Sequence, residues 1–213
     1  MTVGVSIQNA AALSKQNFKL ATVRPAILAL LYLPFLPVIH GITNLDAVHT
    51  AELLEKFVSP IGIILFVPIC RPEQEPGIKE VVFVKAYSYR KVVGIRLFMA
   101  ALAVGILIIA FLGILFAGGC AFPAIPYMLG GIITALALGS IGILAAVLSN
   151  STITGYLVSL GIWFLNWSEA VKESNPVYLF SMIHQQYQQK WNLFAIALVS
   201  IIIMLIYLKR VND

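Results

Sequence analysis

The residues able to do chemistry are few. Three histidines, two cysteines and nine acids are all that the 213 residues offer for acid–base, thiol or metal work. His40, His49 and His184 are far apart and show no ligand spacing, so they read as loop or interface histidines and no metal site is assigned. Cys70 and Cys120 fall at opposite ends of the predicted membrane spans. That separation is about 30 Å, so no disulfide between them is expected. The only inner-face acid cluster is Glu73, Glu75 and Glu80, with no histidine or Asp-rich partner. No G-x-x-x-x-G-K-[ST] run occurs, so the chain cannot cradle nucleotide phosphates by itself. G-x-S-x-G and H-E-x-x-H are absent too. No catalytic residue is assigned.

The elements that would position any site are set by composition. Hydrophobic residues make up 60%, charged residues 11%, and mean hydropathy is +0.94. Soluble domains carry about 25% charged residues; with so few here, a water-exposed surface cannot be covered. A soluble enzyme is excluded. The net charge of +5 does not point to nucleic acid, because the basic residues lie where a bilayer explains them. The expected class is an all-α integral membrane protein.

From Leu97 to Ser168 there is no Asp, Glu, Lys or Arg. At about 20 residues per crossing this stretch holds three spans, broken at Gly118-Gly119 and at Ser149-Asn150-Ser151. Six spans are expected in all, near 24–41, 47–70, 92–117, 127–148, 153–167 and 192–208. The first should be kinked by Pro34 and Pro37. The second should start near Asp46, with Glu52 and Lys56 paired at i,i+4 on a wet outer turn.

With the N-terminus inside, 11 of the 14 basic residues fall on inner segments. Lys56, Lys172 and Lys190 lie on outer ones, together with Asp46, Glu52, Glu55, Glu169 and Glu173. Trp163, Trp167, Tyr187 and Trp191 form the matching aromatic belt. Both termini are therefore expected in the cytoplasm and the chain in the plasma membrane. Residues 1–23 read as an interfacial helix on the inner leaflet, with a frayed tail as the alternative. On this count every span is neutral through its middle, unlike ion-coupled carriers, which bury ionisable groups at mid-depth.

The inner loop 71–91 opens with Pro72, Pro76 and Gly77, which stop the incoming helix. Ile78, Val81 and Val82 then recur at i, i+3, i+4, giving a short amphipathic helix with an apolar face suited to docking on a partner. A plain solvated loop is the alternative. In the fourth span Gly131, Ala135, Gly139, Gly142 and Ala146 share one face, a pattern for close helix packing within the bundle or across a dimer seam; a lining of the translocation path is the alternative. The outer loop 168–190 has an apolar middle, at Tyr178, Leu179, Phe180, Met182 and Ile183.

The sequence resembles the membrane subunits of type-2 ABC exporters. The resemblance is carried by Glu75, Gly77, Ile78, Glu80, Ser88, Arg90, Lys91 and Arg96 around the inner loop. Leu148-Ser149-Asn150-Ser151, Asn175-Pro176-Val177-Tyr178 and Ile206-Tyr207-Leu208-Lys209-Arg210 are similar to further family features. The resemblance implies a pore built from two such subunits, identical or related, and two separate ATPase subunits that hold ATP and Mg. It implies no cofactor on this chain. Glu73, Glu75, Pro76, Gly77, Ile78, Lys79, Glu80, Val81, Phe83, Tyr89 and Arg90 would then form the coupling helix and its flanks, touching the ATPase. The 168–190 loop would form short re-entrant helices; from the residues alone, an amphipathic helix resting on the leaflet fits equally. The expected function is export of a hydrophobic or amphipathic substrate (a peptide toxin, an antimicrobial peptide or a drug). A membrane enzyme of lipid metabolism and a non-transporting immunity protein are the alternatives.

Overall fold

The computed structural model describes residues 23–74 and 89–212, with side chains over 23–70 and 92–210. The expected interfacial helix and the centre of the inner loop, including Glu75, Pro76, Gly77, Ile78, Lys79, Glu80, Val81 and Phe83, lie outside the described residues. So do the side chains of Glu73, Tyr89 and Arg90.

The described residues form helices joined by turns. We label them α1 (Arg24–Tyr32), α2 (Phe35–His40), α3 (Ala47–Cys70), α4 (Tyr89–Ala117), α5 (Ala124–Leu148), α6 (Thr152–Trp167) and α7 (Gln188–Asn212). Four of them are long and apolar enough to cross a membrane: α3, and the stretches Val92–Ala117, Ala124–Leu148 and Gln188–Arg210. The first expected span is instead split into α1 and α2 at Leu33-Pro34, because a proline lacks the N–H and crowds the preceding turn. At 16 residues, α6 rises only about 24 Å.

The ends of these helices follow their local sequence. Asp46 caps α3 by accepting from the His49 N–H at 2.8 Å. α4 stops at Gly118-Gly119, where Gly119 takes a positive φ of 76°, the left-handed turn that ends many helices. α5 starts at Ala124 rather than Tyr127, with Pro126 in its first turn, where a missing N–H costs nothing. α7 starts at Gln188 rather than Asn192, which brings Lys190 into the helix.

α3 is irregular inside its length. Ala47–Glu52 is α-helical, Leu53–Val58 widens into a π-helical turn, Ile61–Phe66 is α-helical again, and Val67–Gln74 tightens to a 3₁₀ helix. Pro60 accounts for the interruption. It cannot donate to the carbonyl of Lys56, and the ladder shifts so that Ser59 N–H reaches Leu54 at 3.0 Å. The carbonyls left over find side chains: Trp163 Nε1 donates to Lys56 at 2.9 Å and the Tyr32 hydroxyl to Phe57 at 2.7 Å. Buried backbone acceptors in an apolar setting must be met in this way.

α5 sits at the centre, packed most extensively on α3, then on α7 and α6, and less on α4. Small residues permit the approach. Gly62 of α3 lies against the Ala135 carbonyl, Gly139 against Phe66 and the Gly62 carbonyl, and Gly142 against Ser159 and Val67. Gly155 of α6 meets Ala146 and the Gly142 carbonyl, while Gly131 faces Ile108 of α4. The α2–α3 and α4–α5 connections meet at one end of the bundle, where Asn44 N–H donates to the Gly118 carbonyl at 3.0 Å. We call this the Asp46 end. At the opposite end, Arg96 Nη1 donates to the Ile69 carbonyl at 3.0 Å.

Candidate functional site

The site begins with a residue that the sequence places on an outer segment. Glu55 sits in the π-helical turn of α3 and is fully buried. It lies eight residues beyond Ala47, about 12 Å along the helix. Lys190, from the first turn of α7, is also buried and forms an ion pair with it. The sequence puts both residues on outer segments; the structure instead buries them inside the bundle. They are carried inward by helices that begin earlier than their apolar runs.

Both members of the pair are hydrogen-bonded within the chain. The Glu55 carboxylate accepts from the main-chain N–H of Met182 at 3.1 Å and of Ile183 at 3.3 Å. Lys190 Nζ donates to Glu55, to Thr134 Oγ1 at 2.7 Å and to the Leu179 carbonyl at 2.6 Å. Those three bonds match the three donors of an ammonium. Thr134 in turn donates to the Gly130 carbonyl at 2.9 Å. Charges withdrawn from water are costly unless paired and hydrogen-bonded, and here both conditions are met.

The bonds to residues 179–183 define the second part of the site. The loop between α6 and α7 re-enters the bundle at the Asp46 end as a run of turns, not as the re-entrant or surface helix expected. Tyr178, Leu179, Phe180, Ser181 and Met182 are all buried. Apolar surface around Ile63, Val67, Ala137, Leu138, Leu193 and Ala197 receives Tyr178, Leu179 and Phe180, while Met182 packs into the larger core cluster and lies over Gly130, where any Cβ would collide with its sulfur. Asn166 of α6 adds a neutral clamp: its Oδ1 accepts the Leu179 N–H at 3.0 Å and its Nδ2 donates to the Ile162 carbonyl at 2.9 Å.

The exposed rim is polar. Glu52 and Lys56 pair at 2.8 Å with the expected i,i+4 spacing, and Lys56 lies over the Trp167 ring at 5.5 Å. Trp163 and Trp167 stack edge to face. His49 meets Asp46 at 2.7 Å, His184 lies 3.3 Å from Glu173, and His40 packs on Phe57. Among the described residues no three His, Cys, Asp or Glu side chains gather as metal ligands. Cys70 and Cys120 are buried at opposite ends and form no disulfide.

Sequence reasoning missed Glu55, Lys190, Thr134, Asn166 and Gly130 as one constellation. One signal was present: Glu55 shares a helical face with the apolar Ala51 and Val58, at i−4 and i+3. Compared with family models, characterised proteins and solved structures, the chain matches none.

Proposed function

We propose that this chain is the membrane-spanning subunit of an exporter powered by separate ATPase subunits, moving a hydrophobic or amphipathic substrate out of the cell. In this reading the chain crosses the plasma membrane six times, α1 and α2 forming the first crossing and α6 the fifth. The Asp46 end faces outward, both termini are cytoplasmic, and two subunits build the pore. The loop at 71–91 takes up the push of the ATPase through Ile78, Glu80 and their neighbours.

One observation carries the reading. Both members of the buried Glu55–Lys190 pair are held by partners from the same chain. An ion-coupled carrier needs a buried group that takes up and gives back its ion. A carboxylate locked to an ammonium and two main-chain N–H groups is poorly suited to that cycle, so the work must come from a partner. Closure of the Asp46 end by residues 178–182 fits a pathway that opens only when such a partner acts.

The test is co-expression with a candidate ATPase subunit, sought first in the reading frames adjacent to this one. Alone, the purified chain should hydrolyse no ATP. Together, the two should co-purify, and inverted vesicles should accumulate substrate only with ATP. The double substitution Ile78→Asp with Glu80→Arg should abolish both co-purification and stimulated hydrolysis; if both survive it, the coupling role fails. Turnover of a lipid by the isolated chain would favour an enzyme, and substrate retention without ATP dependence would favour an immunity protein.

A further inference from the structure

We propose that the groove between α3, α6 and α7 at the Asp46 end is a binding site for the main chain of an amphipathic peptide. Its resident occupant is the chain's own segment 173–183. The proposal deepens the exporter reading by choosing a peptide over a drug as cargo, but the site itself stands on geometry.

The helices hold this segment by its backbone. Gln189 Nε2 donates to the Glu173 carbonyl at 2.9 Å and Asn192 Nδ2 to the Pro176 carbonyl at 3.0 Å. Asn166 takes the Leu179 N–H, Lys190 the Leu179 carbonyl, and Glu55 the N–H groups of Met182 and Ile183. Six main-chain groups are thus read by side chains from three helices. None of these bonds depends on which side chains the segment carries. Selection for apolar residues comes from the pockets that bury Tyr178, Leu179, Phe180 and Met182.

Two features distinguish this seat from a loop merely satisfied in place. The fit is incomplete, since the Ser181 hydroxyl is buried without a partner among the described residues. The clamp also uses charges where Asn166 shows that a neutral amide suffices. A carboxylate and an ammonium are the strongest acceptor and donor for a peptide backbone. They remain mutually neutralised, with Thr134, when the resident leaves. The groove can therefore exchange one main chain for another without exposing an unpaired charge.

The experiment uses the full chain in lipid nanodiscs with a spin label at Val177→Cys, an exposed position; Cys70 and Cys120 are buried. A synthetic peptide of residues 173–183 is titrated against it, reaching about 10 mM because a tethered segment competes at millimolar effective concentration. We expect saturable mobilisation of the label. The same peptide N-methylated at its Leu179, Met182 and Ile183 positions should need at least about tenfold more, since it lacks the donors that Asn166 and Glu55 accept. Tetraphenylphosphonium, an apolar cation with no backbone, should leave the label unmoved. Phe180→Asp, which weakens the resident, should lower the concentration of unmodified peptide required by about tenfold or more. An unmoved label with the peptide, or equal mobilisation by the methylated peptide or by tetraphenylphosphonium, overturns the proposal. Displacement needs no ATPase: a peptide response without ATPase coupling would leave the groove standing and remove the exporter, and coupling without a peptide response would do the reverse.

Discussion

The indole Nε1 of Trp163 donates to the carbonyl of Lys56 at 2.9 Å, the acceptor four residues ahead of Pro60 that no main-chain N–H can reach. A residue of α6 thus completes the interrupted ladder of α3. Trp163→Phe should destabilise the protein by about 1–3 kcal/mol, the cost of a buried polar group left alone. In a Pro60→Ala background the restored N–H should make the same change cheaper. A double-mutant cycle on unfolding in detergent checks this, and additivity within about 0.5 kcal/mol would refute it.

The Glu55–Lys190 pair should be asymmetric in its response to substitution. Glu55→Ala strands a buried ammonium and should cost about 3–5 kcal/mol. Glu55→Leu combined with Lys190→Met removes both charges and should recover most of that loss while abolishing peptide displacement. Unfolding midpoints of the three proteins decide the matter; a double variant as unstable as the single one would show that the charges are indispensable to the fold.

Gly62 and Gly105 should behave oppositely. A methyl at Gly62 would fall on the Ala135 carbonyl, whereas one at Gly105 meets nothing within 4 Å. Gly62→Ala should therefore cost about 1–3 kcal/mol through forced backbone movement. Gly105→Ala should be neutral, or should stabilise by up to about 1 kcal/mol from helix propensity. Thermal unfolding of both variants is the measurement.

Asp46 carries a pH dependence. The His49 N–H and the His49 ring, both hydrogen-bonded to its carboxylate, hold the Asp46 carboxyl below the ordinary carboxylate range. A lowered folded value favours the ionised form, so the cap is complete at neutral pH and is lost as pH falls through that lowered value. The protection factor of the His49 amide, its exchange relative to the intrinsic rate at each pH, should fall in that acidic window and should be low at all pH values in Asp46→Ala. Protection at His49 that ignores both acid and the substitution would exclude the cap.

The helices were legible because each is a long apolar run with readable stops: Gly118-Gly119 closes α4, Ser149-Asn150 closes α5, and Asp46 opens α3. The Glu52–Lys56 pair was legible because i,i+4 spacing is a local property. Glu55 was not, although it adjoins both elements of that reading. Its partner lies at Lys190 on the last helix, and one-dimensional charge counting assigns both residues to water. The loop 168–187 revealed its apolar middle but not its turns, because short internal turn bonds such as Tyr178 N–H to the Asn175 carbonyl are fixed in place by distant side chains, Asn166, Lys190 and Glu55. Pro60 was visible; that Trp163 and Tyr32 would complete its neighbours' bonds depends on a packing that no local spacing encodes.

The two members of the ion pair are far apart in the chain, at positions 55 and 190. On the membrane reading, a ribosome delivers Glu55 to the bilayer while the helix bearing its counter-charge is still unmade. A nascent polypeptide must meanwhile keep this carboxylate protonated, hydrated or sheltered. Translation arrested before residue 190 should leave α3 poorly integrated, which makes the last helix the step that commits the first ones to their final depth.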